Sequence, residues 1–159
     1  MKKAVLLTGL LAIIALSQAQ AATLSLSGTV ASNCVLNQVT PTSYSTLNIS
    51  AGQTVVVAQT DVTCNHNPGY KLRASSANNG LLVNGTAPNN STAYTMKIFG
   101  TGTLNHISLT TAPQDLVNTG TLSSPITNDM RNIEVTVTAV SVPWAGTYSD
   151  TVTITLTTL

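Results

Sequence analysis

The residues of this chain that could carry out chemistry are few and scattered. The sequence contains two cysteines (Cys34 and Cys64), two histidines (His66 and His106) and five carboxylic acids. Nucleophilic catalysis needs a serine or cysteine beside a base, and no Gly-x-Ser-x-Gly turn is present to expose one. A phosphate-binding glycine loop and a His-Glu-x-x-His helix motif are missing too. We therefore expect no catalytic residue, no cofactor, no metal site and no enzymatic activity.

The N-terminus has the pattern of a secretion signal. Two lysines precede an apolar run over residues 4–16, and an Ala-x-Ala pattern follows at residues 19–21. The run is shorter than the ~20 residues that a membrane span needs. We therefore predict a signal peptide over residues 1–21, cleavage between Ala21 and Ala22, and an exported product without a membrane span.

Export places the two cysteines in an oxidising compartment. An even cysteine count in an exported chain indicates a disulfide, here between Cys34 and Cys64. In the chain-entropy model, a disulfide that closes a loop of about 30 residues stabilises the fold by about 3–4 kcal/mol. The alternative, a zinc site, would need a second cysteine or histidine pair at finger-like spacing, which the sequence lacks.

The composition of the mature chain excludes some classes of partner. Removal of the two N-terminal lysines leaves four basic residues against five acidic ones, a formal charge of −1. Charged residues make up 7% of the sequence, far below the roughly 25% of ordinary globular chains. Without a basic stripe, neither nucleic acid nor an anionic membrane is expected as a partner. Thr, Ser and Asn supply the polarity instead, and they favour strands and turns.

Alternation of apolar and polar residues recurs along the mature chain and predicts about six to eight short strands in one all-β domain. We expect a hairpin across the turn at residues 65–69, a bulge near Ala139 and a loop over most of residues 113–132. Short strands with turns between them are typical of β-sandwiches.

Apolar and polar residues alternate over residues 24–30, directly after the predicted signal peptide. Leu24, Leu26 and Val30 share one face with Gly28 between them, and hydroxyl side chains occupy the other face. A strand with one apolar face pairs within its own domain or with the open sheet edge of another molecule. Which of these happens largely decides the function.

Several segments resemble the spore coat protein U domain, which is shared with subunits of archaic chaperone–usher pili. Residues 24–34, an alternating segment that ends in a cysteine, resemble the N-terminal segment of that family. Residues 62–72, with Val-Thr-Cys-Asn and Pro-x-Tyr-x-Leu, resemble its second-cysteine motif. Residues 145–156 resemble its C-terminal strand most closely. The resemblance covers both ends and the cysteine region, but it is poor over residues 78–132.

The resemblance implies an immunoglobulin-like β-sandwich over residues 34–159 that lacks its last strand, preceded by an N-terminal donor strand over residues 22–33. A periplasmic chaperone would fill the gap first, and the donor strand of the next subunit would then replace it. The chain would be a structural subunit of a surface fibre, or fimbrium, exported through the periplasm. Its partners would be neighbouring copies or related pilin subunits, the chaperone and an outer-membrane usher.

Two alternatives stay open. The chain could be a self-folded spore-coat or matrix protein of the same family, in which the N-terminal strand pairs within its own domain. It could also be a secreted carbohydrate-binding β-sandwich that uses Trp144 or the Asn-rich loops. Trp144 is otherwise expected to cap one end of the core.

Overall fold

The computed structural model describes residues 25–37, 39–41, 46–87 and 89–159. The chain divides after Val30, and residues 31–159 form one compact unit. The predicted signal peptide, its cleavage position at Ala21 and Ala22, and Leu24 lie outside the described residues. Among the residues that are described, no helix is long and apolar enough to cross a membrane.

Eleven strands make up the regular structure of the described residues, which contain no helix. In chain order they are β1 (Cys34–Leu36), β2 (Thr40–Pro41), β3 (Gln53–Cys64), β4 (Tyr70–Ser76), β5 (Leu81–Asn84), β6 (Ser91–Ile98), β7 (Ile107–Ser108), β8 (Gln114–Asn118), β9 (Ile126–Val137), β10 (Tyr148–Ser149) and β11 (Val152–Thr158). The predicted all-β class is confirmed.

The strands form two sheets, and within each sheet every pair of hydrogen-bonded strands is antiparallel. The first sheet has the order β1-β3-β9-β6-β5-β10, with β2 also paired to β3 and β7 to β6. The second sheet has the order β11-β4-β8. Most neighbours are far apart in the sequence, so the order of the strands is set by long-range pairing rather than by local turns.

The two sheets enclose an apolar core, which explains the alternation in the sequence. On β4, Tyr70, Leu72 and Ala74 are fully buried, and the residues between them are partly exposed. β9 shows the same alternation from Ile133 to Val137. Full burial of a large apolar side chain is worth about 1.5–3 kcal/mol, so these inward faces hold the predicted sandwich together.

The predicted hairpin between β3 and β4 is wrong. The turn at residues 65–69 carries the chain from the first sheet to the second, where β4 pairs with β11 and β8. β1 and β2 already occupy one side of β3, and β9 occupies the other. The turn residues indicate that the chain reverses, but they do not indicate which sheet it enters.

Two other local expectations are also wrong. Residues 113–132 are not mostly loop, because β8 and the start of β9 lie there. β8 buries Leu116 and Val117 in succession, so it lacks the alternation that marks a strand. No bulge occurs near Ala139, since β9 ends at Val137 and the register shifts of the β3–β9 ladder fall earlier.

The predicted disulfide is confirmed. Cys34 and Cys64 are bonded to each other, and they also lie opposite each other in the β1–β3 ladder. The bond fastens a strand of three residues to one of twelve. Because both sulfurs are used in it, the zinc alternative does not apply to this pair.

Replacement of Cys34 by serine should lower the free energy of unfolding by about 2–5 kcal/mol, as is typical when a small exported domain loses a disulfide. The measurement is urea unfolding of the variant and of the wild-type chain, with and without reductant. The variant should unfold near the reduced wild type and before the oxidised wild type. Equal midpoints for all three would contradict a stabilising role.

Candidate functional site

β11 is an edge strand with one free side. It pairs with β4 along seven residues, and it is the end strand of the second sheet. Alternate backbone N–H and C=O groups of a strand point to its two sides, so an edge strand presents a row of groups that can pair with another strand. Among the described strands, none pairs with this second side of β11.

The inward face of β11 is apolar but incompletely covered. Val152, Ile154 and Leu156 point toward the core, yet all three are only half-buried. Their ladder partners on the neighbouring strand, such as Leu72 and Ala74, are fully buried. β4 has a strand on each side, whereas β11 has one, and the missing cover accounts for the difference.

An apolar cavity of about 330 Å³ lies beneath this edge. Its wall combines β11 with residues of the first sheet and of the segments beside it: Val39, Leu47, Val57, Ala58, Leu82, Tyr94, Met96, Ile133, Val135, Asp150, Val152 and Ile154. A cavity of about 150 Å³ can hold a benzene ring, so this one has room for roughly two large apolar side chains. We call it the acceptor groove.

Asp150 forms the polar end of the acceptor groove. It is the one residue in that lining that carries a charge. The Tyr94 hydroxyl and the Ser76 hydroxyl each donate to its Oδ2 at 2.5 Å. The backbone amides of Asn78 and Thr151 donate to its Oδ1 at 3.0 and 2.7 Å. The carboxylate thus ties β6 of the first sheet to β4 of the second, at the point where β11 begins.

Burial raises the pKa of Tyr94 well above its usual range, and the hydrogen bond to Asp150 raises it further. Because the Tyr94 ring lies in the core, its ionised form would lose hydration and would face a carboxylate. The phenol therefore stays protonated and keeps donating to Asp150 under ordinary conditions.

The predicted donor residues lie in a segment without regular structure. Residues 25–33 form no strand, although the alternation of residues 24–30 predicts one. Leu26 and Val30 are each 86% exposed, and space around Gly28 is open. An alternating sequence becomes a strand when it gains a partner for its ladder hydrogen bonds.

Trp144 does not cap the core, and that prediction is wrong. Its side chain is 67% exposed, while its backbone carbonyl faces inward. Asn84 Nδ2 donates to the carbonyls of Trp144 and Ala145 at 3.3 and 3.2 Å. The Tyr148 hydroxyl also donates to the Trp144 carbonyl at 3.2 Å. These hydrogen bonds hold the loop through its backbone and leave the indole ring in solvent, which the residue types alone do not reveal.

The two histidines lie apart, each with its own partner. His106 Nε2 is 2.9 Å from Glu134 Oε1, and His66 Nε2 is 3.0 Å from the Leu159 carbonyl oxygen. In the part of the chain that the structure describes, no three His, Cys, Asp or Glu side chains are grouped so that they could hold a metal ion.

Comparison with known proteins gives a likeness of fold. No protein-family model matches the chain, and no curated protein matches it. A solved structure described as a chaperone–tip adhesin complex, vital for the activation of CFA/I fimbriae biogenesis, matches with a TM-score of 0.51 and 12% sequence identity. The match covers 77% of this chain and 42% of the other. The chain therefore has a β-sandwich fold that also occurs in a fimbrial chaperone–adhesin complex.

Replacement of Asp150 by alanine should destabilise the sandwich, because it leaves the buried hydroxyls of Tyr94 and Ser76 without their acceptor. Each such buried donor costs about 1–3 kcal/mol. Urea unfolding at neutral pH measures the loss. Ser149→Ala, at the exposed neighbouring position, is the control and should change the unfolding midpoint little.

Alkaline pH should weaken the fold through Tyr94. Its pKa is raised by folding, so its contribution to stability is complete below about pH 10, the usual tyrosine pKa, and declines as the pH rises further. Between about pH 9 and pH 12, the free energy of unfolding should therefore fall less in the Tyr94→Phe variant than in the wild type. Equal losses in the two proteins, measured by urea unfolding, would contradict this role of Tyr94.

Proposed function

We propose that this chain is a structural subunit of a secreted surface fibre that is assembled by donor-strand complementation. The observation that carries the proposal is an edge strand, β11, with a free side and an apolar groove beneath it. The N-terminal strand of a neighbouring copy, or of a related pilin subunit, lies along that free side and fills the groove.

The inserted strand supplies the acceptor with both backbone hydrogen bonds and apolar cover. Its backbone completes the ladder of β11, and its apolar side chains cover Val152 and Ile154. Full burial of a leucine or valine is worth about 1.5–3 kcal/mol, so Leu24, Leu26 and Val30 together anchor a persistent contact.

The exposure of the N-terminal segment supports its role as the donor. Leu26 and Val30 are each 86% exposed, although apolar side chains gain free energy when they leave water. Each copy thus has an apolar segment exposed to water and an apolar groove that such a segment can fill. Contacts of this head-to-tail kind produce open fibres where the rotation between successive copies does not close a ring.

The resemblance to spore coat protein U domains and archaic pilus subunits supports the same function. The resemblance implies two further partners. A periplasmic chaperone covers the groove before assembly, and an outer-membrane usher passes the subunits to the cell surface. The fold likeness to a fimbrial chaperone–adhesin complex is consistent with these partners. The role is structural, and it requires neither catalysis nor a cofactor.

The alternative of a self-folded coat protein receives less support. That function would need residues 24–30 to form a strand within a single chain. The described residues 25–33 form none. The free side of β11 therefore favours a partner from another copy.

Replacement of Leu26 by aspartate should block polymerisation, because a buried charge without a partner is very costly. The matched control is Ser27→Asp, which places the same charge on the outward face of the donor strand and should do much less. The measurement is the ladder of detergent-resistant oligomers that purified chains form on unheated gels.

Deletion of residues 22–31 gives a second, independent test. The shortened chain keeps the acceptor groove, so a chaperone or an added peptide of residues 22–33 should still bind it, but it has no strand to donate. Fibres from the shortened chain, or identical ladders from the Leu26 and Ser27 variants, would overturn the proposed function.

A further inference from the structure

An exposed apolar patch lies on a loop whose backbone is hydrogen-bonded to a buried side chain. The patch consists of Val142, Pro143 and Trp144, and Val142 and Trp144 are 83% and 67% exposed. The loop rests on Asn84, which is fully buried and donates to two of its carbonyls. An exposed apolar patch is typical of an interaction surface, and hydrogen bonds that already hold its backbone reduce the conformational freedom lost on binding.

The patch adjoins the mouth of the acceptor groove. Pro143 and Trp144 line a second cavity, of about 500 Å³, together with Tyr148 and the segment at residues 46–50. Leu47 lines both this cavity and the acceptor groove. A strand that leaves the groove at its Asp150 end therefore emerges beside the patch.

The chemistry of the groove sets the direction of the donor strand. β1 packs against β11, and Asp150 lines the groove whereas no residue of β1 does. We therefore take the Asp150 end as the one by which the donor strand leaves the groove. In a donor antiparallel to β11 with Gly28 beside the carboxylate, Leu26 lies opposite Val152 and position 24 lies opposite Ile154. Val30 then lies opposite Tyr148, which lines the second cavity. This register fills the space for two large side chains and keeps apolar bulk away from the charge. A parallel donor would have to pass β1.

The tether between the donor strand and its own folded unit is short. The folded unit begins at Ala31, three residues after Gly28. An extended residue spans about 3.3 Å, so Ala31 lies within about 10 Å of Gly28. In that register, the folded unit of the donor copy lies beside the Trp144 patch of the acceptor copy.

The folded unit carries a matching hollow where its tether begins. Asn65 Nδ2 donates to the Ala31 carbonyl at 3.0 Å, and Asn65 Oδ1 accepts from the Asn33 amide at 2.5 Å. Asn65 also lines a hollow of about 200 Å³, with His66, Leu122, Ser124 and Pro125 among its walls. We call it the tether hollow.

We propose that Trp144 of each acceptor copy docks in the tether hollow of the copy whose strand it receives. This inference rests on the proposed function and adds a second contact between the same two copies. A space of about 150 Å³ holds a benzene ring, so the hollow suits an aromatic side chain. The amides and the imidazole in its wall offer partners for the indole N–H, which usually finds one when it is buried.

Trp144 is the one tryptophan in the sequence, so its fluorescence reports this contact directly. The experiment compares wild-type polymer with the Leu26→Asp chain, which serves as the monomer that does not donate. In the polymer we expect a shift of the emission to shorter wavelength and a severalfold loss of quenching by acrylamide. The Leu26→Asp chain should show the emission of an exposed indole.

A matched pair of variants then tests the hollow. Ser124→Asp places a charge in its wall, and Ser108→Asp places the same charge at an exposed position on β7 that lines neither cavity. The Ser124 variant should still form ladders but should keep the emission of an exposed tryptophan. The Ser108 variant should behave as the wild type does.

Three results would overturn the inference, and they differ from one another. Polymer in which Trp144 stays exposed rejects the docking while the proposed function stands. Wild-type chains that form no polymer reject the proposed function itself. An emission shift of the Leu26→Asp monomer with chitohexaose or maltohexaose, without one on polymerisation, makes the patch a sugar-stacking surface instead.

Discussion

The side of β11 with which no described strand pairs is the constraint on which the rest of this structure depends. A strand at the edge of a sandwich leaves two kinds of groups in water, the backbone N–H and C=O groups along its side and the apolar side chains beneath it. Val152 and Ile154 stand in that position above a cavity in the core. One additional strand remedies both deficits, whereas a side chain or a small ligand remedies at most one.

The polar and covalent contacts of the fold hold this groove in a shape that a strand can enter. At one end the Cys34–Cys64 bond keeps the short β1 on β3. At the other end Asp150 joins the two sheets through hydroxyl and amide donors. A groove that is already shaped loses less conformational entropy when a strand enters it, so more of the burial energy would remain for binding that strand.

A second polar cluster stabilises the opposite part of the core. Arg131 is fully buried, and its guanidinium donates to the Tyr70 hydroxyl at 2.6 Å and to Asp129 at 2.5 Å, as well as to the carbonyls of Phe99 and Thr101. Burial raises the pKa of Tyr70, although the nearby Arg131 charge acts in the opposite direction. Arg131 thus connects β9 to β4 and to the loop at residues 99–101.

The sequence by itself determined the class of the fold, the disulfide and most of the inward faces, because alternation and cysteine count are local properties that burial and oxidation act on directly. It also picked out Leu26, Gly28 and Val30 as a segment with one apolar face. It did not determine that β3 and β4 lie in different sheets, that β8 exists or that Trp144 is exposed. These depend on which distant strands pair and on which backbone groups Asn84 and Asp150 reach. The free side of β11 is likewise a product of tertiary structure, since a strand is at an edge only by virtue of the neighbours that it lacks.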